Sequence, residues 1–278
     1  MTSMGTSRGL TWLERLSGQS GLRPDGPPSV RCADAQLGLE PARFLAVVPD
    51  PAGRFPRARN GEVGLEEGWN LARCVREAMA ADAGGIRRPL VAVVDLPSQA
   101  YGRREELLGI SLACAAAVDA YASARMAGHP VVALLVGHAM SGAFLAHGYQ
   151  ANRILALDDP GVLVHAMGKA AAARVTRRSV AELDALAATV PPMSYSIRDY
   201  ARLGLLHGLI RGVAADDPNP SDLERVRSCL IEAVAHTRAG VPDLGHRLAA
   251  PEAQTARAAS IEVRRRMAEQ WEAAGVPE

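Results

Sequence analysis

The chain has 278 residues, which is long enough for one large domain or two small ones with a buried core. That length excludes a disulfide-stapled mini-protein. The 31 Lys and Arg residues nearly balance the 30 Asp and Glu residues. The net charge therefore offers no broad electrostatic surface for nucleic acid or for an anionic membrane, and we expect neither as a partner.

The cysteines and the apolar runs indicate the cellular compartment. The 4 cysteines are far apart and form no C-x-x-C pair, so we expect neither a metal site nor a disulfide framework. No apolar run has the length and position of a signal peptide or reaches the ~18 residues of a membrane span. We therefore expect a cytoplasmic protein.

Residues 1–40 are rich in Gly, Ser, Pro and Arg and predict a mostly irregular N-terminal arm. Within the arm, Trp12, Leu13 and Leu16 predict one amphipathic turn that docks on this chain or on a partner. Residues 41–278 predict one α/β domain with C-terminal helices.

Short valine-rich runs alternate with helical patterns after the arm. Strands covered on both faces are expected at Arg43–Pro49, Leu90–Leu96 and Val131–Val136. Helices are expected at Leu65–Ala80 and Arg103–Ala127. This alternation predicts an α/β fold with a mostly parallel sheet and flanking helices.

The second half of the chain is largely helical. The predicted elements are a short helix from Ser141, strands at Arg153–Leu157 and Gly161–Val164, a helix from the capping-box sequence Ser221–Glu224 to Gly240, and a helix at Ala253–Trp271.

One glycine-rich turn is the first candidate functional site. A buried strand runs into Gly137, His138, Ala139, Met140, Ser141 and Gly142, and a helix follows. Backbone N–H groups at such a turn point over the helix N-terminus, where negative charge is favoured. We expect Gly137, Met140 and Gly142 to bind an oxyanion or substrate there.

A second candidate turn follows the preceding strand and contains Gln99, Ala100, Tyr101 and Gly102. Loops after neighbouring parallel strands open on one edge of the sheet, so the two turns could share a pocket. Converging backbone donors would stabilise an enolate or a tetrahedral oxyanion. The alternative is that both are merely tight connections.

Ser141 has two interpretations. The surrounding Ala139-x-Ser141-x-Ala143 lacks both glycines of the G-x-S-x-G nucleophile elbow, which argues against an α/β-hydrolase. A serine at a helix start is more often an N-cap, and we favour that interpretation over a nucleophile.

His138, His147 and His165 fall near the same edge of the predicted sheet and could donate or orient a proton. None has a metal-type partner four residues later, and core packing remains the alternative for each. Lys169 is the sole lysine, and it could neutralise a carboxylate or phosphate or lie on a helix surface. Tyr195 and Tyr200 follow a proline-rich break and are expected to pack at a hinge or an interface.

Three runs carry a family resemblance: VVDLPSQAYGRREELLGI, HPVVALLVGHAMSGAFLAHGYQANRILAL and HAMGKAAAARVT. Together they resemble the γ subunit of biotin-independent malonate decarboxylase over about residues 43–212. They are more loosely similar to carboxyltransferase subunits of acyl-CoA carboxylases. The resemblance implies a crotonase-like (ClpP/crotonase) fold for residues 41–278, and the arm before Arg43 is unfamiliar in the family.

The resemblance also implies a function. The chain would be a subunit of malonyl-S-ACP decarboxylase, with a site shared with a β subunit and the substrate carried on the dephospho-CoA-derived prosthetic group of an acyl-carrier protein. The α transferase subunit is a further candidate partner. Loss of carbon dioxide leaves an enolate, which needs an oxyanion site and a proton source but no cofactor or metal bound by this chain. His138, His165 and Ser141 are the candidate catalytic residues.

Three alternatives remain open from the sequence. The chain could be a subunit of a biotin-dependent acyl-CoA carboxyltransferase, although it contains no biotin-acceptor sequence such as Met-Lys. It could be a peptidase of the same fold with Ser141 as nucleophile. It could also be a non-catalytic scaffold that only stabilises its partner.

Overall fold

The computed structural model describes residues 7–273 and contains one seven-stranded sheet. The strands are β1 (Val30–Leu37), β2 (Glu40–Val47), β3 (Leu90–Leu96), β4 (Val131–Met140), β5 (Arg153–Leu157), β6 (Val164–His165) and β7 (Gly208–Ile210). Their spatial order is β1-β2-β3-β4-β5-β7, and β6 pairs with the end of β4. Only β1 and β2 are antiparallel, so the predicted mostly parallel sheet is confirmed.

Twelve helices surround the sheet in the described part of the chain. They are α1 (Arg8–Ser17), α2 (Leu65–Ala81), α3 (Arg103–Leu107), α4 (Ile110–Met126), α5 (Ser141–Ala146), α6 (Lys169–Thr176), α7 (Val180–Ala187), α8 (Ile197–Arg202), α9 (Pro220–Arg238), α10 (His246–Ala249), α11 (Pro251–Ala256) and α12 (Ala258–Ala273). Every residue of β3 except Asp95 is buried, because helices cover both faces of the sheet. The α2 and α4 helices pack together in one layer, while α1 lies across β1–β4 beside α9.

The prediction of a mostly irregular arm is wrong for the described residues before position 41. Residues 8–17 form α1, and β1 forms a hairpin with β2. The side chain of Trp12 is fully buried, and its Nε1 donates to the carbonyl of Ala215 over 2.8 Å. The Arg8 guanidinium binds Asp159 and Asp216. The predicted amphipathic turn is thus a full helix docked on this chain, held by partners about 150 to 200 residues away.

The long helix predicted at Arg103–Ala127 is two helices, α3 and α4. Gly109 interrupts it with a φ of 81°, a left-handed conformation that breaks the helical hydrogen bonding. The predicted strand at Gly161–Val164 is instead the two-residue β6, because only Val164 and His165 pair with β4.

The predicted capping box of α9 is also displaced. The N-cap is Asn219 rather than Ser221, and its side-chain oxygen accepts from the amides of Ser221 and Asp222. The Asp222 carboxylate in turn accepts a hydrogen bond from the amide of Asn219 over 3.1 Å. Pro220 occupies the first helical position, where its missing N–H costs nothing, so the helix begins before Ser221. None of the helices described for residues 7–273 is long and apolar enough to span a membrane.

Candidate functional site

The carboxyl end of β4 opens on a largely apolar cavity of about 490 Å³. Its walls are formed by Ser141, Gly142, Phe144, Leu145, Tyr149, Val164, His165, Ala166, Pro192, Met193, Ser194, Tyr200, Leu203 and Leu205. We call this the apolar cavity. The walls come from α5, β6 and the segment around α8, so residues far apart in sequence enclose one space.

Ser141 lies at the point where β4 becomes α5. Its φ is 62°, a left-handed conformation that is uncommon for a residue other than glycine. The Oγ lies 2.7 Å from the hydroxyl of Tyr101, on the neighbouring turn. Ser141 is the first helical residue, and the N-cap is Met140, which makes no side-chain cap. The N-cap interpretation of Ser141 is therefore wrong, and its hydroxyl is turned toward the Tyr101 side of the site.

The two turns meet through Gln99 and Gly142. The amide of Gly142 donates to the Oε1 of Gln99 over 2.7 Å, and a β-carbon at Gly142 would lie 3.1 Å from the same oxygen. The amide of Ala100 donates to the carbonyl of Val63 over 2.9 Å. Two of the amides predicted as oxyanion donors are thus already engaged, because that of Gly142 binds Gln99 and that of Ala100 joins a backbone bridge. With its Oε1 accepting from Gly142, Gln99 presents its Nε2 as a donor instead.

Gly137 packs against Asp95 beneath the turn and does not line the apolar cavity. A β-carbon there would lie 2.1 Å from Oδ1 of Asp95, so the contact excludes any side chain. Asp95 also accepts from the amides of His138 and of Gly9, at the start of α1. The half-buried His138 does not line the apolar cavity, and neither does the buried Met140. The prediction that places these three residues at the pocket is not supported by their positions.

Gly102 lies at the start of α3 and also serves packing. A β-carbon there would lie 2.1 Å from Oε2 of the buried Glu105. Its backbone is extended, so no left-handed turn requires glycine here, and a β-carbon would need the Glu105 carboxylate to shift.

His165 is the one candidate histidine on the wall of the apolar cavity. Its ring stacks on Tyr195 with the centroids 4.0 Å apart, and its Nδ1 lies 3.2 Å from the carbonyl and 3.3 Å from the amide of Met167. Burial lowers the pKa of His165, so the imidazole is neutral near pH 7. When Nδ1 accepts from the Met167 amide, Nε2 carries the proton that could be transferred.

His147 is a core residue. It is fully buried, its Nδ1 lies 2.9 Å from the Tyr121 hydroxyl, and its Nε2 lies 3.2 Å from the carbonyl of Val93. Burial lowers its pKa to about 4. Core packing, the alternative for this histidine, is what the structure shows.

Lys169 lines a different cavity, of about 460 Å³, on the other side of Tyr195. Its Nζ forms a 2.6 Å ion pair with Asp184 and lies 5.4 Å from the centre of the Tyr195 ring. The lysine is therefore neutralised by a carboxylate of this chain and does not share the space beside Ser141. Tyr195 packs between His165 and Lys169 of the same chain, and its predicted place at a hinge or an interface stays a prediction.

Sequence reasoning missed most of the apolar wall. Phe144, Tyr149, Met193 and Leu203 carry no motif, and only the fold brings them together. No group of three potential metal-ligating His, Cys, Asp or Glu side chains occurs among residues 7–273.

The site offers hydroxyl, amide and imidazole groups at one end of an apolar space. Such an arrangement can hold a developing oxyanion and supply a proton.

Comparison with known proteins identifies relatives. Residues 58–271 match the family model MdcE, the malonate decarboxylase gamma subunit. The chain is 34% identical over 218 residues to the malonyl-S-ACP:biotin-protein carboxyltransferase MADD of Malonomonas rubra, covering 77% of this chain and 71% of that protein.

Solved structures of Pseudomonas malonate decarboxylase are similar over nearly the whole chain. A chain of its hetero-tetramer in complex with coenzyme A is 61% identical with a TM-score of 0.90, and a chain of the MdcD–MdcE hetero-dimer is 60% identical with a TM-score of 0.87. Each match covers 95% of this chain and 100% of the other. The beta subunit of geranyl-CoA carboxylase from P. aeruginosa is 16% identical with a TM-score of 0.60, covering 86% of this chain and 43% of that one, and shares the crotonase-like carboxyltransferase fold alone.

Proposed function

The chain belongs to the family of malonate decarboxylase gamma subunits, and on that premise we propose that it contributes to the decarboxylation of a malonyl thioester carried by an acyl-carrier protein. We place the reaction at the mouth of the apolar cavity, in a site shared with a β-type subunit. The observation that carries the proposal is the contact of Gln99 with Gly142 beside the Tyr101–Ser141 hydrogen bond.

The proposed chemistry needs one oxyanion site and one proton. When the bond between the α-carbon and the carboxylate breaks, its electron pair forms an enolate on the thioester and carbon dioxide leaves. We propose that the Nε2 of Gln99 donates to the enolate oxygen, together with whichever of the Tyr101 and Ser141 hydroxyls accepts from the other and so keeps its own proton free. Neutral His165 then passes the proton on Nε2 to the α-carbon and takes a replacement proton from solvent at the same nitrogen. No metal or cofactor held by this chain enters this scheme.

The peptidase alternative has less support. Activation of a serine requires a general base within hydrogen-bond reach of its Oγ. The described partner of the Ser141 Oγ is the Tyr101 hydroxyl, while the Nδ1 of His165 is engaged by the Met167 backbone. The hydroxyl of Ser141 therefore shares a hydrogen bond with Tyr101, and no general base among the described residues is positioned to activate it as a nucleophile.

A β-type partner has a suitable surface next to the cavity. Tyr101, Leu107, Leu108 and Leu112 are each more than half exposed and follow one another from the second turn into α4. A continuous exposed apolar surface typically marks a protein interface. The Pseudomonas relative forms an MdcD–MdcE hetero-dimer. We propose that an MdcD-like subunit covers this surface and closes the mouth of the apolar cavity.

The test is release of carbon dioxide from malonyl-loaded carrier protein. We would compare the co-purified pair of this chain and its β-type partner with each subunit alone. Activity confined to the pair supports the shared site. Equal activity of the β-type subunit alone would instead make this chain a non-catalytic scaffold.

A second function is favoured by one specific relative. The 34% identical protein of Malonomonas rubra is named a malonyl-S-ACP:biotin-protein carboxyltransferase. The same decarboxylation step would then deliver its carboxyl group to a biotinyl carrier rather than release it. Carbon dioxide release by the pair without biotinyl protein supports the decarboxylase, whereas an absolute requirement for biotinyl protein supports the carboxyltransferase.

A further inference from the structure

A second cavity, of about 290 Å³, adjoins the apolar cavity and is rich in arginine. It is lined by Tyr149, Leu205, Leu244, Gly245, Arg247, Leu248, Arg257 and Arg264. We call this the arginine cavity. It brings three guanidinium groups together, and no carboxylate is present in its wall. Tyr149 and Leu205 line both cavities, so the two spaces are neighbours.

Arg247 is held in this cavity with little freedom. Only 5% of the residue is exposed, its guanidinium donates to the carbonyls of Tyr149 and Ala151, and it lies 5.0 Å from the centre of the Tyr149 ring. Its buried Nε has no hydrogen-bond partner among residues 7–273. Burial lowers the pKa of Arg247, and no Asp or Glu among residues 7–273 forms an ion pair with it. The charge is thus fixed in place and incompletely satisfied.

The other two arginines are also without acidic partners in the described chain. Neither Arg257 nor Arg264 forms an ion pair with any residue from 7 to 273. The neighbouring Arg265 and Arg266 on the same helix, in contrast, both bind Glu262, at 2.7 Å and 2.6 Å. On this helix, the two arginines that do not line the cavity form ion pairs, and Arg264, which does line it, forms none with the described residues.

The field in this region is accordingly positive. The pKa of His246, which neighbours the cavity, is lowered to about 4 by burial together with the charges of Arg153 and Arg247. Tyr200 lines the apolar cavity, and its buried hydroxyl has no hydrogen-bond partner among the described residues. An unsatisfied buried hydroxyl is costly unless a ligand completes its hydrogen bonding.

We propose that the arginine cavity binds a phosphoryl group, and that the uncharged remainder of the same ligand extends into the apolar cavity toward Ser141. Three guanidiniums exceed what a single carboxylate neutralises, whereas a phosphoryl group offers up to two charges and several acceptor oxygens in a geometry that arginine matches. This inference rests on the proposed function, because it takes the ligand to be the phosphorylated arm that carries the thioester.

The test is calorimetric titration of the full-length chain, and of its complex with the β-type subunit, with 4′-phosphopantetheine and with pantetheine, which lacks the phosphoryl group. We expect the phosphorylated compound to bind at least tenfold more tightly. The Arg264→Gln variant should lose most of that preference. Arg266→Gln is the matched control, since it removes the same charge from the same helix but breaks only the pair with Glu262.

Two further titrations identify the anion. Inorganic pyrophosphate should compete with 4′-phosphopantetheine, and malonate at the same concentration should not. Equal affinity for the phosphorylated and unphosphorylated compounds, or equal loss of affinity in Arg264→Gln and Arg266→Gln, would overturn the site. Competition by malonate as strong as that by pyrophosphate would overturn the phosphoryl assignment.

Carbon dioxide release is measured separately on the same preparations. If the complex decarboxylates but shows no preference for the phosphorylated arm, the arginine site fails and the proposed function stands. If the preference depends on Arg264 but no carbon dioxide is released, the proposed function fails and the anion site stands.

Discussion

The side-chain oxygen of Gln99 accepts the amide hydrogen of Gly142 over 2.7 Å, and this bond joins the two turns at the ends of β3 and β4. It determines which group of the Gln99 amide faces the site. Since Oε1 is engaged, Nε2 is the donor available to an enolate.

Replacement of this donor should therefore impair catalysis. Gln99→Glu keeps an oxygen to accept from Gly142 but removes the N–H donor and adds negative charge beside the enolate. We expect kcat of the complex to fall about 10²-fold or more, as for the loss of one oxyanion donor, with a smaller change in KM. Steady-state carbon dioxide release measures both. Gln36→Ala, at an exposed position of β1, is the control, and unchanged kcat in Gln99→Glu would remove Gln99 from the mechanism.

Docking of α1 should be a major source of stability. Trp12→Ala removes a fully buried indole and its hydrogen bond to Ala215, so we expect a loss of about 3–5 kcal/mol in the free energy of unfolding. Urea denaturation of the isolated chain measures it. Trp69→Ala, at a tryptophan that is half exposed, should change stability by no more than about 0.5 kcal/mol. Similar small effects at both positions would show that α1 is not an integral part of the fold.

Acid should destabilise the protein through His147. The folded state holds the pKa of this histidine at about 4, below the ordinary value of 6.5, so the unfolded chain binds the proton first as pH falls. This contribution to stability is complete above pH 6.5 and is lost progressively toward pH 4. Between pH 7.5 and pH 5 the loss should be about 2 kcal/mol.

Denaturation curves of the wild type and of His147→Gln across that range isolate this effect. The variant should be less stable at pH 7.5 and should show a flatter dependence on pH, because the titrating group is gone. A parallel dependence in the two proteins would contradict the assignment of this proton to His147.

The exposed apolar surface beside the site should be needed for pairing. Leu112→Asp places a charge where an MdcD-like subunit is proposed to bury an apolar side chain, so we expect the Kd of the pair to rise at least about tenfold. Analytical ultracentrifugation of the mixed subunits measures it. Leu39→Asp, at the fully exposed tip of the β1–β2 hairpin, is the matched control. An unchanged Kd in Leu112→Asp would move the interface elsewhere.

Elements defined by their own sequence were predicted well. The strands Leu90–Leu96 and Arg153–Leu157 have the predicted bounds, since continuous valine- and leucine-rich runs between turns allow few other structures. The helix predicted at Leu65–Ala80 differs by one residue at its end. In contrast, only one turn of α1 was predicted, because the rest of the helix is stabilised by partners such as Asp216, which sequence pattern cannot bring near Arg8.

The candidate site was likewise predicted only in part. The parallel-sheet argument correctly predicted that the turn of Gln99 and Tyr101 adjoins the turn of Ser141 and Gly142. It did not predict which amides remain free, because the Gln99 side chain and the Val63 carbonyl occupy two of them. The catalytic roles of these residues stay predictions until the variants are measured.

The position of α1 has a consequence for the order in which the chain is made. The carbonyl that receives the Trp12 indole lies 203 residues later, at Ala215. At ~5–20 residues per second, a ribosome needs on the order of 10–40 s to produce that partner. Strands β1–β4, on which α1 also lies, are complete by residue 140, so we expect α1 to pack on the sheet first and the Trp12 hydrogen bond to form only after residue 215 has been made.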